Sequence, residues 1–131
     1  MSTNEDYFVE VDNFTERHFV KSFIKKYGDK KWDVTLRALL EEAKRIDRLV
    51  SETNRAEIIQ SGAKKIVKVS FKVAGTDESA KTSGNRAIVS ADEETRTVRL
   101  LLIYCKNDIS PPNETQKWRK IIKDQFPELS N

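Results

Sequence analysis

Basic side chains between Lys64 and Arg86 are the part of this chain best suited to chemistry on phosphate. The segment carries six lysines and arginines against two acids, Asp77 and Glu78. Its first residues alternate in period two and predict a strand from Lys64 to Val73, with lysines on one face and apolar side chains on the other. Such a strand can bury its apolar face while its cations bind phosphate groups. The lysines of the basic face are Lys64, Lys68 and Lys72.

The net charge of the chain is small but unevenly placed. The 131 residues carry a formal charge of +3, yet residues 1–60 hold 11 Lys/Arg and 12 Asp/Glu while residues 61–131 hold 13 and 9. We therefore expect any surface that binds a polyanion to lie in the C-terminal half. Because the excess charge is small, we expect a compact site rather than a long nucleic-acid groove.

The composition restricts the class of protein. A chain of this length is expected to form one domain, residues 1–131, with its own hydrophobic core. No stretch approaches the roughly 20 apolar residues of a membrane span, and the acidic start MSTNEDYFVEV differs from a secretory signal. We therefore expect a cytoplasmic protein without membrane contacts. The lone cysteine, Cys105, cannot form an internal disulfide and has no zinc-site spacing, so we expect no metal and no cofactor.

The hydrophobic pattern predicts the element order β-α-α-β-β-β-α. Strands are predicted at 7–11, 64–73, 85–90 and 96–106. Helices are predicted at 15–27, at 32–51 and from Pro111-Pro112 to Pro127. Residues 52–62 fit either a helix extension or a strand. The order favours an α+β fold, in which a small, mostly antiparallel sheet has two N-terminal helices on one face and a C-terminal helix.

Two apolar patterns suggest how these elements pack. The run Val98–Cys105 is apolar on both faces except at Arg99, which predicts the central strand of the sheet. The sheet face away from the N-terminal helices is expected to be partly open and lined by lysines. The last helix has an apolar stripe that can pack on the sheet or dock a partner, formed by Trp118, Ile121, Ile122 and Phe126.

Two local motifs, taken with this order, resemble a known family. The first follows the basic strand and its loop and reads Ala80-Lys81-Thr82-Ser83-Gly84-Asn85-Arg86. The second ends an apolar strand and reads Tyr104-Cys105-Lys106. They are similar to the Gly-Lys-Ser-Gly-Gly-Tyr-Arg-like and Tyr-Ala-Lys-like motifs of the RelE/ParE superfamily of bacterial toxins, and most of all its HigB-type branch. The resemblance is strongest over residues 64–126.

The resemblance implies a toxin that cleaves messenger RNA, often on the ribosome, and that an antitoxin protein neutralises in a hetero-oligomer. The implied chemistry is metal-free attack of a ribose 2′-OH on the adjacent phosphate, which builds negative charge that fixed cations stabilise. It implies that Arg86 clamps the scissile phosphate and that Lys81 and Lys106 assist catalysis. Lys68 and Lys72 are the implied RNA-binding residues. We expect Arg86→Ala to abolish cleavage and leave the fold intact.

Some positions depart from the family pattern, and two alternatives follow. Asn85 stands where many relatives have an aromatic residue, and no histidine or tyrosine follows Lys106. Asp108 is the only titratable candidate between Lys106 and Glu114. One alternative is a ParE-like toxin that poisons a topoisomerase without nuclease chemistry. The other is a non-catalytic RNA-binding or interaction domain of the same fold.

Overall fold

A computed structural model describes residues 7–15, 20–62, 64–77, 79–105 and 114–129 of this chain. Within these ranges it has an α+β fold, with helices on both faces of a mostly antiparallel sheet. The strands are β1 Phe8–Val11, β2 Ala56–Gln60, β3 Lys64–Ser70, β4 Asn85–Asp92 and β5 Thr97–Cys105. The helices are α1 Asn13–Thr15, α2 Lys21–Tyr27, α3 Asp29–Ala43, α4 Ile46–Glu52 and α5 Glu114–Gln125, followed by a 3₁₀ turn at Pro127–Leu129.

The described strands lie in the order β1-β5-β4-β3-β2. Neighbouring pairs from β2 to β5 are antiparallel, as the period-two pattern after Lys64 predicts, so the three consecutive strands are confirmed. Strand β1 is the exception, because it runs parallel to β5, with Phe8 opposite Thr97 and Val11 opposite Leu100. Residues 56–60, which fit helix or strand in sequence, form the edge strand β2. With β2 at one edge and β1 at the other, the central strand of the five is β4. The prediction that Val98–Cys105 forms the central strand is therefore wrong, although β5 is an interior strand with a neighbour on each side.

The predicted helix at 32–51 is two helices. The first of them, α3, begins at Asp29, directly after Gly28, which turns the chain with a φ of +90°. It breaks at Lys44, whose carbonyl oxygen accepts a hydrogen bond from the Tyr7 backbone N–H at 2.9 Å. A tertiary contact with the chain before β1 thus marks the break between α3 and α4. The described part of the first predicted helix is α2, and residues 16–19 lie outside the described part of the chain.

Two apolar clusters hold the helices to the sheet. On one face, Phe23 and Trp32 pack with Phe71, and the ring centroids of Phe23 lie 4.8 Å from Trp32 and 6.0 Å from Phe71. On the other face, α5 buries Trp118 and Ile122 in a cluster that includes the sheet residues Ile66, Ile88, Leu101 and Leu102. The sheet face expected to be partly open is therefore covered by α5, and the Trp118 stripe packs within its own chain.

Every helix in the described ranges is too short or too polar to cross a membrane.

Candidate functional site

Three polar side chains form a row across β3, β4 and β5 on the α5 face of the sheet. Ser70 is opposite Arg86, and Arg86 is opposite Tyr104. Residues directly opposite each other in antiparallel strands have neighbouring side chains, so the row brings a hydroxyl, a guanidinium and a phenol together. All three residues are buried, and Arg86 is only 6% exposed.

Arg86 is held by the turn that precedes β4. Its Nη1 donates to the carbonyl oxygens of Asn85 at 2.9 Å and Ala80 at 3.4 Å, and its Nη2 donates to that of Lys81 at 3.1 Å. A guanidinium has five N–H groups, so Nε–H and one Nη2–H have no partner among the residues that the structure describes. Arg86 thus stabilises the turn and keeps two donors for another acceptor.

The turn itself is built by Ser83 and Gly84. The Ser83 hydroxyl donates to the Phe71 carbonyl oxygen at 2.6 Å and accepts the backbone N–H of Asn85 at 3.0 Å. Gly84 has a φ of +81°, a conformation that costs glycine little and other residues more. The motif at 80–86 is therefore a tight turn whose carbonyl groups converge on Arg86.

Tyr104 is joined to the start of α5 by a short hydrogen bond. Its hydroxyl donates to Oε2 of Glu114 at 2.7 Å. Burial raises the pKa of Tyr104, the hydrogen bond to Glu114 raises it further, and Arg86 opposes the rise. The phenol therefore keeps its proton at neutral pH and donates it in the hydrogen bond to the half-buried Glu114 side chain. We call Arg86, Tyr104 and Glu114 the Arg86 cluster.

The five basic residues predicted to form one site do not all come together. Lys68 lies on the same face of the sheet as Arg86, two residues along β3 from Ser70, which is the residue opposite Arg86. Its Nζ lies 3.9 Å from Oε1 of Glu57. Lys81 is exposed in the turn, and its carbonyl oxygen accepts a hydrogen bond from Arg86. Lys72 borders a groove beside α3 instead of sharing a face with Lys68. Lys106 lies outside the described residues.

Lys72 departs from the prediction because β3 ends at Ser70. The chain then crosses toward α3, where the Ala74 N–H donates to the Thr35 hydroxyl oxygen at 2.8 Å. The expectation that Arg86→Ala leaves the fold intact also requires correction. Arg86 is buried and donates hydrogen bonds to three backbone carbonyl groups, so loss of its side chain should destabilise the turn.

Sequence reasoning missed Tyr104 and Glu114 as site residues. A signal for both was present in the spacing. Glu114 lies four and eight residues before Trp118 and Ile122, so a helix through them carries all three on one face. Tyr104 shares the alternating face of Leu102, which that helix covers.

The chain matches no family model, no curated protein and no solved structure. In the described ranges, no three His, Cys, Asp or Glu side chains are grouped so that they can hold a metal ion together. The Arg86 cluster places a guanidinium, a phenol and a carboxyl group close together.

Proposed function

We propose that this chain is the toxin of a toxin–antitoxin pair and cleaves messenger RNA through attack of a ribose 2′-OH on the adjacent phosphate. The observation that carries the proposal is the Arg86 cluster, because it unites a cation, a proton donor and a proton acceptor at one end of the sheet. The α+β fold is compatible with a RelE/ParE-like topology of the HigB branch, which is part of the proposal.

Arg86 supplies the charge that the reaction needs. As the 2′-oxygen attacks, negative charge grows on the phosphoryl oxygens, and a donor fixed in place before the reaction stabilises that charge without having to reorganise. The three turn carbonyls fix the guanidinium in this way. Its two remaining donors suit a contact with two phosphoryl oxygens.

Tyr104 and Glu114 supply the proton transfers. In the proposed step the 2′-oxygen–phosphorus bond forms, the phosphorus–5′-oxygen bond breaks, and Glu114 accepts the 2′-OH proton. Tyr104 gives its proton to the departing 5′-oxygen and regains one from Glu114 along the 2.7 Å hydrogen bond. Both side chains return to their starting states, and the product is a 2′,3′-cyclic phosphate.

The test is cleavage of a defined RNA by the purified chain, with and without ribosomes. We expect 2′,3′-cyclic phosphate ends, and we expect a single 2′-deoxy nucleotide at the cleavage position to block cleavage there. Cleavage that continues at the 2′-deoxy position would exclude the proposed nucleophile. Host growth and RNA integrity during expression, with and without the neighbouring gene, test the toxin–antitoxin assignment.

One observation favours a second candidate, a non-catalytic RNA-binding or interaction domain. Arg86 already donates three hydrogen bonds inside its own turn, which is a structural role for that residue. RNA binding that weakens with salt, together with RNA that stays intact, supports this candidate and contradicts the nuclease.

A further inference from the structure

A groove of about 620 Å³ lies beside α3, and its wall includes Ala80, whose carbonyl oxygen accepts a hydrogen bond from Arg86. It is bounded by α3 on one side and by residues 71–74 and 79–80 on the other. Its interior is apolar because the buried residues Leu39 and Phe71 line it. Small side chains along its walls leave the space unfilled, namely Ala38, Ala74 and Ala80. Its size is that of small-molecule sites in proteins.

The charges around the groove are asymmetric. Glu41 pairs with Lys44 at 2.8 Å, and Glu42 pairs with Arg55. Both acids of the groove lining thus have an ion-pair partner within the chain. Lys72 is exposed at its border, and no described carboxylate forms an ion pair with its ammonium group. A ligand in the groove therefore meets apolar walls and one cation that is available to it.

We propose that this groove binds a small amphipathic carboxylate, with its apolar body against Leu39 and Phe71 and its carboxylate at Lys72. Apolar contact favours entry of a hydrocarbon or aromatic body. The Lys72 ammonium selects an anionic head group. Val34, at 56% exposed, is one of the large apolar side chains of the described chain that stay in solvent, and the ligand would cover it. This site goes beyond the proposed function and does not depend on it.

Calorimetric titration with decanoate, kept below its micelle concentration, tests the proposal. We expect saturation at one molecule per chain, and we expect decylammonium, with the same apolar body and the opposite charge, to bind more weakly. Lys72→Ala should weaken decanoate binding about fivefold, as loss of a partly exposed ion pair implies. Lys72→Glu should reverse the preference toward decylammonium. Lys68→Ala is the matched control, because it removes a lysine of β3 that lies outside the groove, and binding should stay unchanged.

A second variant fills the groove without touching the charge. Ala38 is exposed on α3, so Ala38→Trp should keep the fold, as thermal melting can show, and should abolish decanoate binding. Equal binding of both probes, unchanged binding in Lys72→Glu, or the absence of saturable binding to the wild type overturns the proposal. Full binding by folded Ala38→Trp also overturns it. If Ala38→Trp fails to fold, the charge reversal at Lys72 still decides.

Discussion

Arg86 has a structural role in its turn in addition to the catalytic role that we propose for it. Its guanidinium binds three carbonyl groups of the turn at 80–85 and still has two N–H groups for an outside acceptor. A catalytic cation held by the backbone is fixed before substrate arrives, which is the arrangement that electrostatic catalysis favours. The same arrangement ties the chemistry of Arg86 to the stability of its turn.

Loss of the Arg86 side chain should therefore destabilise the protein. We expect Arg86→Ala to lower the free energy of unfolding by about 2–3 kcal/mol, because the carbonyl groups of Ala80, Lys81 and Asn85 all lose a charged donor that is itself buried. Urea denaturation followed by circular dichroism measures the change. Lys81→Ala, an exposed change in the same turn, is the control and should stay within about 0.5 kcal/mol. A loss no larger than that of the control would contradict the structural role.

Removal of the Tyr104 hydroxyl should separate catalysis from stability. We expect Tyr104→Phe to slow RNA cleavage by about 10²–10⁴-fold, the usual contribution of a positioned proton donor, while unfolding changes by about 1 kcal/mol. Single-turnover cleavage and urea denaturation of the same sample measure both. Tyr27→Phe makes the same change on α2 and should leave cleavage unchanged. Wild-type cleavage by Tyr104→Phe would remove the phenol from the mechanism.

Among the elements, the strands from Lys64 onward are predictable because burial on alternate sides imposes a period of two. Strand β2 is not, because Ile58 and Ile59 are adjacent and suit a helix or a strand until pairing with β3 decides. The break between α3 and α4 at Lys44 also cannot be predicted from the sequence. The residues around Lys44 favour a helix, and the feature that marks the break is a hydrogen bond from the distant Tyr7 backbone N–H.

The candidate site, too, can be predicted from the sequence only in part. The motif at 80–86 marks the right turn, and its sequence locates Arg86. The burial of Arg86 and the separation of Lys72 depend on contacts with turn carbonyls and with Thr35, which no periodicity encodes. Tyr104 and Glu114 meet only because α5 returns over the sheet.

Arg99 links three elements at the opposite end of β5. Its Nη2 donates to Asp12 at 2.8 Å and its Nη1 to Glu128 at 3.2 Å, and its guanidinium lies 5.5 Å from the Phe126 ring centroid. We expect Arg99→Ala to destabilise the protein by about 1–2 kcal/mol and to speed amide exchange at the end of α5. Arg119→Ala, an exposed change on the same helix, should leave exchange there unchanged. Equal exchange in both variants would show that α5 holds its place without this link.

For the molecule as a whole, buried tyrosines make stability fall at alkaline pH. Burial and the hydrogen bond that Tyr7 donates to Asp47 raise the pKa of Tyr7 from 10.0 to about 12. Below pH 10 the folded and unfolded states both keep this proton. Between pH 10 and 12 only the unfolded state loses it, so unfolding becomes more favourable as pH rises.

Tyr7→Phe should reduce this alkaline loss of stability. Each such tyrosine contributes a slope of about 1.4 kcal/mol per pH unit in that window, and the variant lacks one of them. Tyr104, whose pKa is also raised, continues to contribute. Urea denaturation at pH 8 to 12 measures the slope, with Tyr27→Phe as the control. Identical slopes for Tyr7→Phe and wild type would contradict the role of Tyr7.

The parallel pairing of β1 with β5 affects when the protein can fold during its synthesis. Residues Phe8–Val11 are synthesised well before their partners, Thr97–Leu100, because about 90 residues separate the two strands in sequence. Pairing over such a sequence separation is slow and cannot begin before both segments exist. An unfinished chain that stops at Arg96 has neither β5 nor the phenol of Tyr104. A nascent chain therefore acquires this sheet, and any chemistry that depends on it, only after synthesis has passed Cys105.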